Sequence, residues 1–153
     1  MNNPIFLDTN LIVYATNKDS PYHAKASALM EAIGKGKLET CLSLQVLGEF
    51  YTTATNPKKI EKALTPEEAV LVIEGLLRTD TILKLYPKES TLRLTLDLVK
   101  RYQLKSMDFF DAQIVATMLD NGITTIYTVS EQDFAIFEEI SVVNPLELDA
   151  QRR

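Results

Sequence analysis

Short apolar runs alternate along this chain with longer amphipathic segments, and that alternation constrains the fold more than any other feature. Ile5 to Leu7, Leu38 to Leu42, Thr81 to Leu85, Ile123 to Tyr127 and Ser141 to Val143 have the length and apolar content of strands. Strands separated by helix-length segments pair through crossover connections, so the pattern predicts an α/β fold with a central, mainly parallel sheet. No Ser, Gly or Pro-rich linker and no internal repeat interrupts it. A chain of 153 residues suffices for one well-buried core, so a single domain over 1–148 with a short polar tail over 149–153 is expected.

The intervening segments carry helix signals. A short helix is expected over Leu11 to Ala15. Ser20-Pro21 reads as an N-cap and first-turn proline opening a helix over 21–33, which Gly34-Lys35-Gly36 closes. Leu47, Phe50, Tyr51 and Ala54 recur at helical spacing within a helix from Leu44 to Thr55, stopped by Asn56-Pro57. Thr65-Pro66-Glu67-Glu68 has the form of a capping box, with Ala69, Ile73, Leu76 and Leu77 as the apolar face behind it. Leu92, Leu96 and Val99 define the face of a helix from Ser90 to Gln103. Ser106 reads as the cap of a helix from Met107 to Leu119, apolar nearly all round and therefore buried. A short helix is expected around Gln132 to Phe137.

Composition excludes several classes of function. Hydrophobic residues make up 46% and charged residues 24%, and no apolar run approaches the roughly 18 residues of a membrane span. The start, Met1-Asn2-Asn3-Pro4, has neither the basic nor the apolar region of an export signal. The one cysteine, Cys41, lies in an expected strand as a buried, inert thiol, and a cytoplasmic, reducing location follows. The one histidine, His23, falls off its helix's apolar stripe and reads as a surface residue. It leaves no basis for a His-rich zinc site or a Ser-His-Asp apparatus. A net charge of -5 argues against broad electrostatic affinity for nucleic acid, so a metal or local lysines must offset the chain's own charge at any polyanion.

The chemistry-bearing residues are acids. Ile5-Phe6-Leu7 stops on Asp8, and ligands of open α/β sheets bind outside the carboxyl ends of the strands. Asp111 sits among Phe109, Phe110, Ala112, Ile114 and Val115, costly surroundings for an ionised carboxylate. Asp108 lies one turn earlier, where the helix dipole favours negative charge. Glu49 follows the second strand, and Asp133 follows the fourth. Taken alone, Glu49 and Asp133 read as a solvated-face acid and a helix-start residue. Together, Asp8, Glu49, Asp111 and Asp133 come from separate strand–helix units near equivalent ends. Two carboxylates about 4 Å apart repel by roughly 4 kcal/mol at an effective dielectric of 20, so such a set demands protons or a cation. All-oxygen donors without His or Cys suit Mg²⁺ or Mn²⁺ acting on a phosphodiester.

These positions also carry a resemblance. Phe6-Leu7-Asp8-Thr9-Asn10, Gly48-Glu49-Phe50, Phe110-Asp111-Ala112-Gln113-Ile114-Val115-Ala116-Thr117, Ile126-Tyr127-Thr128 before Asp133-Phe134, and Val143-Asn144-Pro145 stand in the order found in the PIN-domain family. Within that family the chain resembles the VapC-like toxin ribonucleases. The resemblance implies a three-layer α/β/α domain that cleaves single-stranded RNA with a Mg²⁺- or Mn²⁺-activated water. Asp8, Asp111 and Glu49 match the metal-binding acids. Ser130 stands where members commonly carry a further acid, and Asp133 matches the aspartate of relatives with a small polar residue there. Thr9, Asn10 and Thr128 resemble groups that orient Asp8. The resemblance further implies a homodimer and a small antitoxin that masks the acidic pocket. Lys58, Lys59, Lys62, Arg101 and Lys105 are candidate contacts for RNA. The rival readings are a catalytically weak PIN-like module that binds RNA or protein, and a stand-alone RNA-processing nuclease. A haloacid-dehalogenase-type phosphatase would want a second aspartate where Asn10 stands, and a Rossmann module a glycine-rich turn after the first strand.

Overall fold

Phe6 and Leu7, both fully buried, form the centre of a five-stranded sheet whose strands are short, apolar and parallel. The computed structural model describes residues 3–147; the expected tail over 149–153 lies outside the described residues. In chain order the elements are β1 (Ile5–Leu7), α1 (Thr9–Thr16), α2 (His23–Gly34), β2 (Thr40–Ser43), α3 (Leu44–Ala54), α4 (Pro66–Arg78), β3 (Ile82–Leu85), α5 (Glu89–Tyr102), α6 (Asp108–Asp120), β4 (Thr125–Tyr127), α7 (Glu131–Phe134) and β5 (Ser141–Val143).

The strand order is β3-β2-β1-β4-β5, and every pairing is parallel, with Phe6 opposite Cys41 on one side and Ile126 on the other. The chain winds outward from β1 through β2 to β3, then returns across the sheet to β4 and β5. Right-handed crossovers therefore place α1 to α4 on one face and α5 to α7 on the other, which makes three layers. Reversal between β1 and β4 opens a crevice at their carboxyl ends, the usual ligand position in such sheets. Asp8 follows β1 there, and Thr128 follows β4.

Local chemistry explains the starts of α1, α3 and α4, where Asp8, Ser43 and Thr65 are side-chain N-caps. The capping box at Thr65 forms as expected: the Thr65 hydroxyl accepts from the Glu68 amide at 3.1 Å, and Glu68 accepts from the Thr65 amide at 2.9 Å. Cys41 is fully buried in β2, and burial pushes its thiol up to about 12, so it is an inert hydrophobe.

Four local expectations are corrected. Ser20 does not cap α2; its hydroxyl accepts from the Tyr22 amide in a turn, and the helix starts at His23. His23 is half-buried rather than a free surface residue, with Nδ1 3.0 Å from the Tyr14 carbonyl. Ser106 makes no side-chain cap for α6; it sits in the left-handed region at φ 55°, and its carbonyl accepts from the Phe109 amide. On α5, Leu92 and Leu96 are half-exposed, whereas Thr91, Thr95 and Leu98 are buried. The threonines are small, allowing close α5–α6 packing. Their hydroxyls are satisfied, Thr91 by Asp120 at 2.7 Å and Thr95 by the Thr91 carbonyl at 2.8 Å.

Candidate metal centre

Asp8 is the first residue beyond β1 and the N-cap of α1, so its position is fixed by the strand-to-helix turn itself. Oδ1 accepts from the Thr9 amide at 2.8 Å; Oδ2 accepts from the Thr128 hydroxyl at 2.7 Å and from the Asn10 amide at 3.5 Å. Thr128 is fully buried, and its hydroxyl oxygen also accepts from the Ser130 amide at 2.9 Å. Asn10 completes the bridge, donating to Thr128 Oγ1 at 3.3 Å and Ser130 Oγ at 3.1 Å. Thr9, Asn10, Thr128 and Ser130 thus fasten Asp8 between the β1 and β4 ends of the crevice. Burial raises the Asp8 carboxyl above its usual range; hydrogen bonds from Thr128 and Thr9 oppose the shift, and the charges of Glu49 and Asp133 add to it.

Glu49 reaches the same place from α3. Thr9 Oγ1 donates to its Oε1 at 2.9 Å and Gln45 Nε2 to its Oε2 at 3.0 Å. Asp111 projects from the first turn of α6 and is half-buried. Desolvation, followed by the charges of Asp133, Asp8, Asp108 and Glu49, pushes its carboxyl up to about 7. Asp8, Glu49, Asp108, Asp111 and Asp133 are therefore one electrostatic unit, drawn from both faces of the sheet. The ion pairs among the described residues join Lys35 to Glu31, Arg93 to Glu89 and Arg101 to Glu139, so none neutralises this unit.

Two openings flank the acids. Asp8 and Glu49 line a cleft of about 490 Å³ with Thr9, Asn10, Tyr14 and Lys59. Asp108, Asp111 and Asp133 line a second, of about 230 Å³. Of the proposed RNA contacts, only Lys59 lines either cleft. Lys58, Lys62 and Lys105 are exposed elsewhere, and Arg101 is tied to Glu139. Sequence reading missed Gln45 and Gln113, which link Glu49 to α6. The spacing of Gln45 and Glu49, one helical turn apart, was the available signal.

The residues suit a hard divalent ion on charge and donor type: Asp8, Glu49 and Asp111 are buried or half-buried carboxylates, with oxygen donors only and no ion pair among the described residues to offset them. As placed, no three Asp, Glu, His or Cys side chains among the described residues close on a single point.

A family model described as PIN domain matches residues 5–140, nearly the whole described chain. Ribonuclease VapC48 of Mycobacterium tuberculosis is 31% identical over 142 residues, covering 90% of this chain and 94% of that protein. The chain belongs to the PIN-domain family and, within it, to the VapC ribonucleases of toxin–antitoxin systems. The crystal structure of Mycobacterium tuberculosis VapC20, described as a sarcin–ricin loop cleaving toxin, superposes with a TM-score of 0.66 at 21% identity, covering 89% of this chain and 98% of that one. A toxin–antitoxin complex from Klebsiella pneumoniae gives 0.60 at 19% identity, covering 92% and 97%. Likeness at these identities speaks for the fold: the five-stranded parallel sheet and seven helices among the described residues are PIN-like. The acids stand at the carboxyl end of β1 (Asp8), on α3 (Glu49), in the first turn of α6 (Asp108 and Asp111) and on α7 (Asp133). Among the described residues no helix is long and apolar enough to cross a membrane.

Proposed function

We propose that this PIN domain is a metal-dependent endoribonuclease, the toxin of a toxin–antitoxin pair, cleaving single-stranded RNA by attack of an activated water on the phosphodiester. The observation that carries the reading is the pair Asp8 and Glu49, joined through Thr9 at the crevice where Asp111 also lies half-buried, with no ion pair among the described residues to neutralise them. Burial first, and then the like charges of Asp133, Asp8, Asp108 and Glu49, raise the Asp111 carboxyl, as a site awaiting a cation does. Membership among the VapC ribonucleases supports the substrate class.

In this reading Asp8, Asp111 and Glu49 hold the ion, and Asp133 completes the acidic set. Mg²⁺ or Mn²⁺ bound there supplies Lewis-acid polarisation of the phosphodiester and a more acidic water. The chain's own residues do the rest. Thr128, Asn10 and the Thr9 amide fix the direction of the Asp8 carboxylate, so no reorientation is needed when substrate arrives. Thr9 and Gln45 do the same for Glu49. Lys59, which lines the same cleft as Asp8 and Glu49, meets the RNA backbone as a compact positive charge. The half-exposed leucines Leu92 and Leu96 of α5 offer an apolar face to a second copy, and a small antitoxin covers the acidic cleft.

The purified protein is expected to cleave single-stranded RNA with added Mn²⁺ or Mg²⁺ and to lose the activity in EDTA, monitored on a fluorescent oligonucleotide. Cleavage that persists in excess EDTA overturns the metal mechanism; a folded protein that neither binds Mn²⁺ nor cleaves favours a silent binding module. Ser130 gives a sharper check. Its hydroxyl accepts from the Asn10 side chain and its amide donates to Thr128 Oγ1, which places it at the corner of the crevice beside Asp8. Ser130→Asp adds a carboxylate at that corner and is expected to tighten Mn²⁺ roughly tenfold by calorimetry, in the range that neighbouring groups tune metal affinity. Unchanged affinity leaves Asp133 as the fourth acid, or the site without one.

A further inference from the structure

We propose that Gln45 is a positioning residue: it holds the Glu49 carboxylate at the acidic crevice and ties it to α6, the helix that carries Asp111. This rests on the reading of the acids as a metal centre. Gln45 is half-buried, one turn before Glu49 on α3. Its Nε2 donates to Glu49 Oε2 at 3.0 Å and to the Phe110 carbonyl at 3.0 Å, while its Oε1 accepts from Gln113 Nε2 at 2.7 Å. Turning the amide over would aim its oxygen at a carboxylate and a carbonyl, so the three partners admit one orientation. Gln113, on the same helix as Asp111, therefore locks Gln45, and Gln45 locks Glu49.

The clamp has a physical purpose. Thr9 bonds Asp8 through its amide and Glu49 through its hydroxyl, so the two carboxylates are neighbours and repulsion drives the flexible Glu49 side chain away. Thr9 on one oxygen and Gln45 on the other oppose that repulsion before any cation binds. Phe110 immediately precedes Asp111, so the same amide joins one acid's carboxylate to the backbone beside another.

Gln45→Met keeps the length and unbranched shape of the side chain while removing all three hydrogen bonds. The test is Mn²⁺ binding by isothermal titration calorimetry on the full chain, alone and combined with Glu49→Gln, with thermal unfolding recorded alongside. Gln45→Met is expected to weaken Mn²⁺ about tenfold in the wild-type background and less than about twofold beside Glu49→Gln, because it acts through Glu49. Gln113→Leu, which removes the donor to Gln45 Oε1 and leaves the amide held through Nε2 alone, is expected to weaken Mn²⁺ by a smaller factor and serves should Gln45→Met fail to fold. Unchanged affinity, or an equal loss in both backgrounds, overturns the assignment while leaving the metal centre standing. A wild-type protein that binds no Mn²⁺ overturns both.

Discussion

Asp8→Asn and Asp111→Asn are each expected to reduce Mn²⁺-dependent RNA cleavage by at least about a thousandfold, equivalent to roughly 4 kcal/mol of transition-state stabilisation, while leaving the protein folded. Asparagine keeps the shape of the carboxyl and removes its charge. At position 8 it is as good an N-cap as aspartate, so it preserves the bond from the Thr9 amide and the start of α1. The cost there is limited to the Oδ2 side, where Asp8 accepts from both Thr128 and Asn10 and an amide nitrogen cannot. At position 111 it relieves repulsion from Asp133, Asp8, Asp108 and Glu49. Neither substitution therefore has a reason to unfold the chain, and loss of cleavage reports on charge. Circular dichroism and single-turnover cleavage on the same samples provide the check. A variant with more than a tenth of wild-type activity removes that residue from the metal set.

Asp111 gives the second large effect, in the dependence of stability on pH. Its carboxyl is raised from the ordinary carboxylate range to about 7, so between about pH 4 and 7 the folded protein holds a proton that the unfolded chain has released. Stability of the metal-free protein therefore falls as pH rises through that window, and the raised Asp8 carboxyl adds a slope of the same sign. Asp111 is half-exposed, so solvent screening reduces its share to about 1 kcal/mol, and Asp111→Asn should remove that share. Mn²⁺ needs the deprotonated carboxylates, so its affinity moves the opposite way and rises with pH through about 7. Calorimetric melting from pH 5 to 8, with and without Mn²⁺, measures both trends. An Asp111→Asn protein with the wild-type pH slope shows that Asp111 is not the titrating group.

Both effects arise from residues that could be picked out one at a time. Asp8 is marked by an apolar strand that ends on an acid, and Asp111 by an acid in apolar company. Thr9, Asn10 and Thr128 are legible only as neighbours of Asp8 in sequence or motif; their hydrogen bonds depend on β4 lying beside β1. The α5 face was misread because helical periodicity ranks residues by side-chain polarity. Burial there is decided by how closely α5 approaches α6 and by whether each threonine finds a partner. Ser106 was misread because a capping residue's side chain follows its backbone angles, and those are set by the α5–α6 loop as a whole.

By itself, the sequence determined the class of the fold and marked the candidate acids, since strand and helix periods and a carboxylate at a strand end are local properties of the chain. Tertiary structure alone decided that β1 and β4 are neighbours, that acids from both faces of the sheet share one field, and that Gln45 connects α3 to α6. The hydrogen bonds from Gln45 to α6 and from Thr128 to Asp8 join residues 65 and 120 positions apart, and such energies depend on distances that no local pattern encodes.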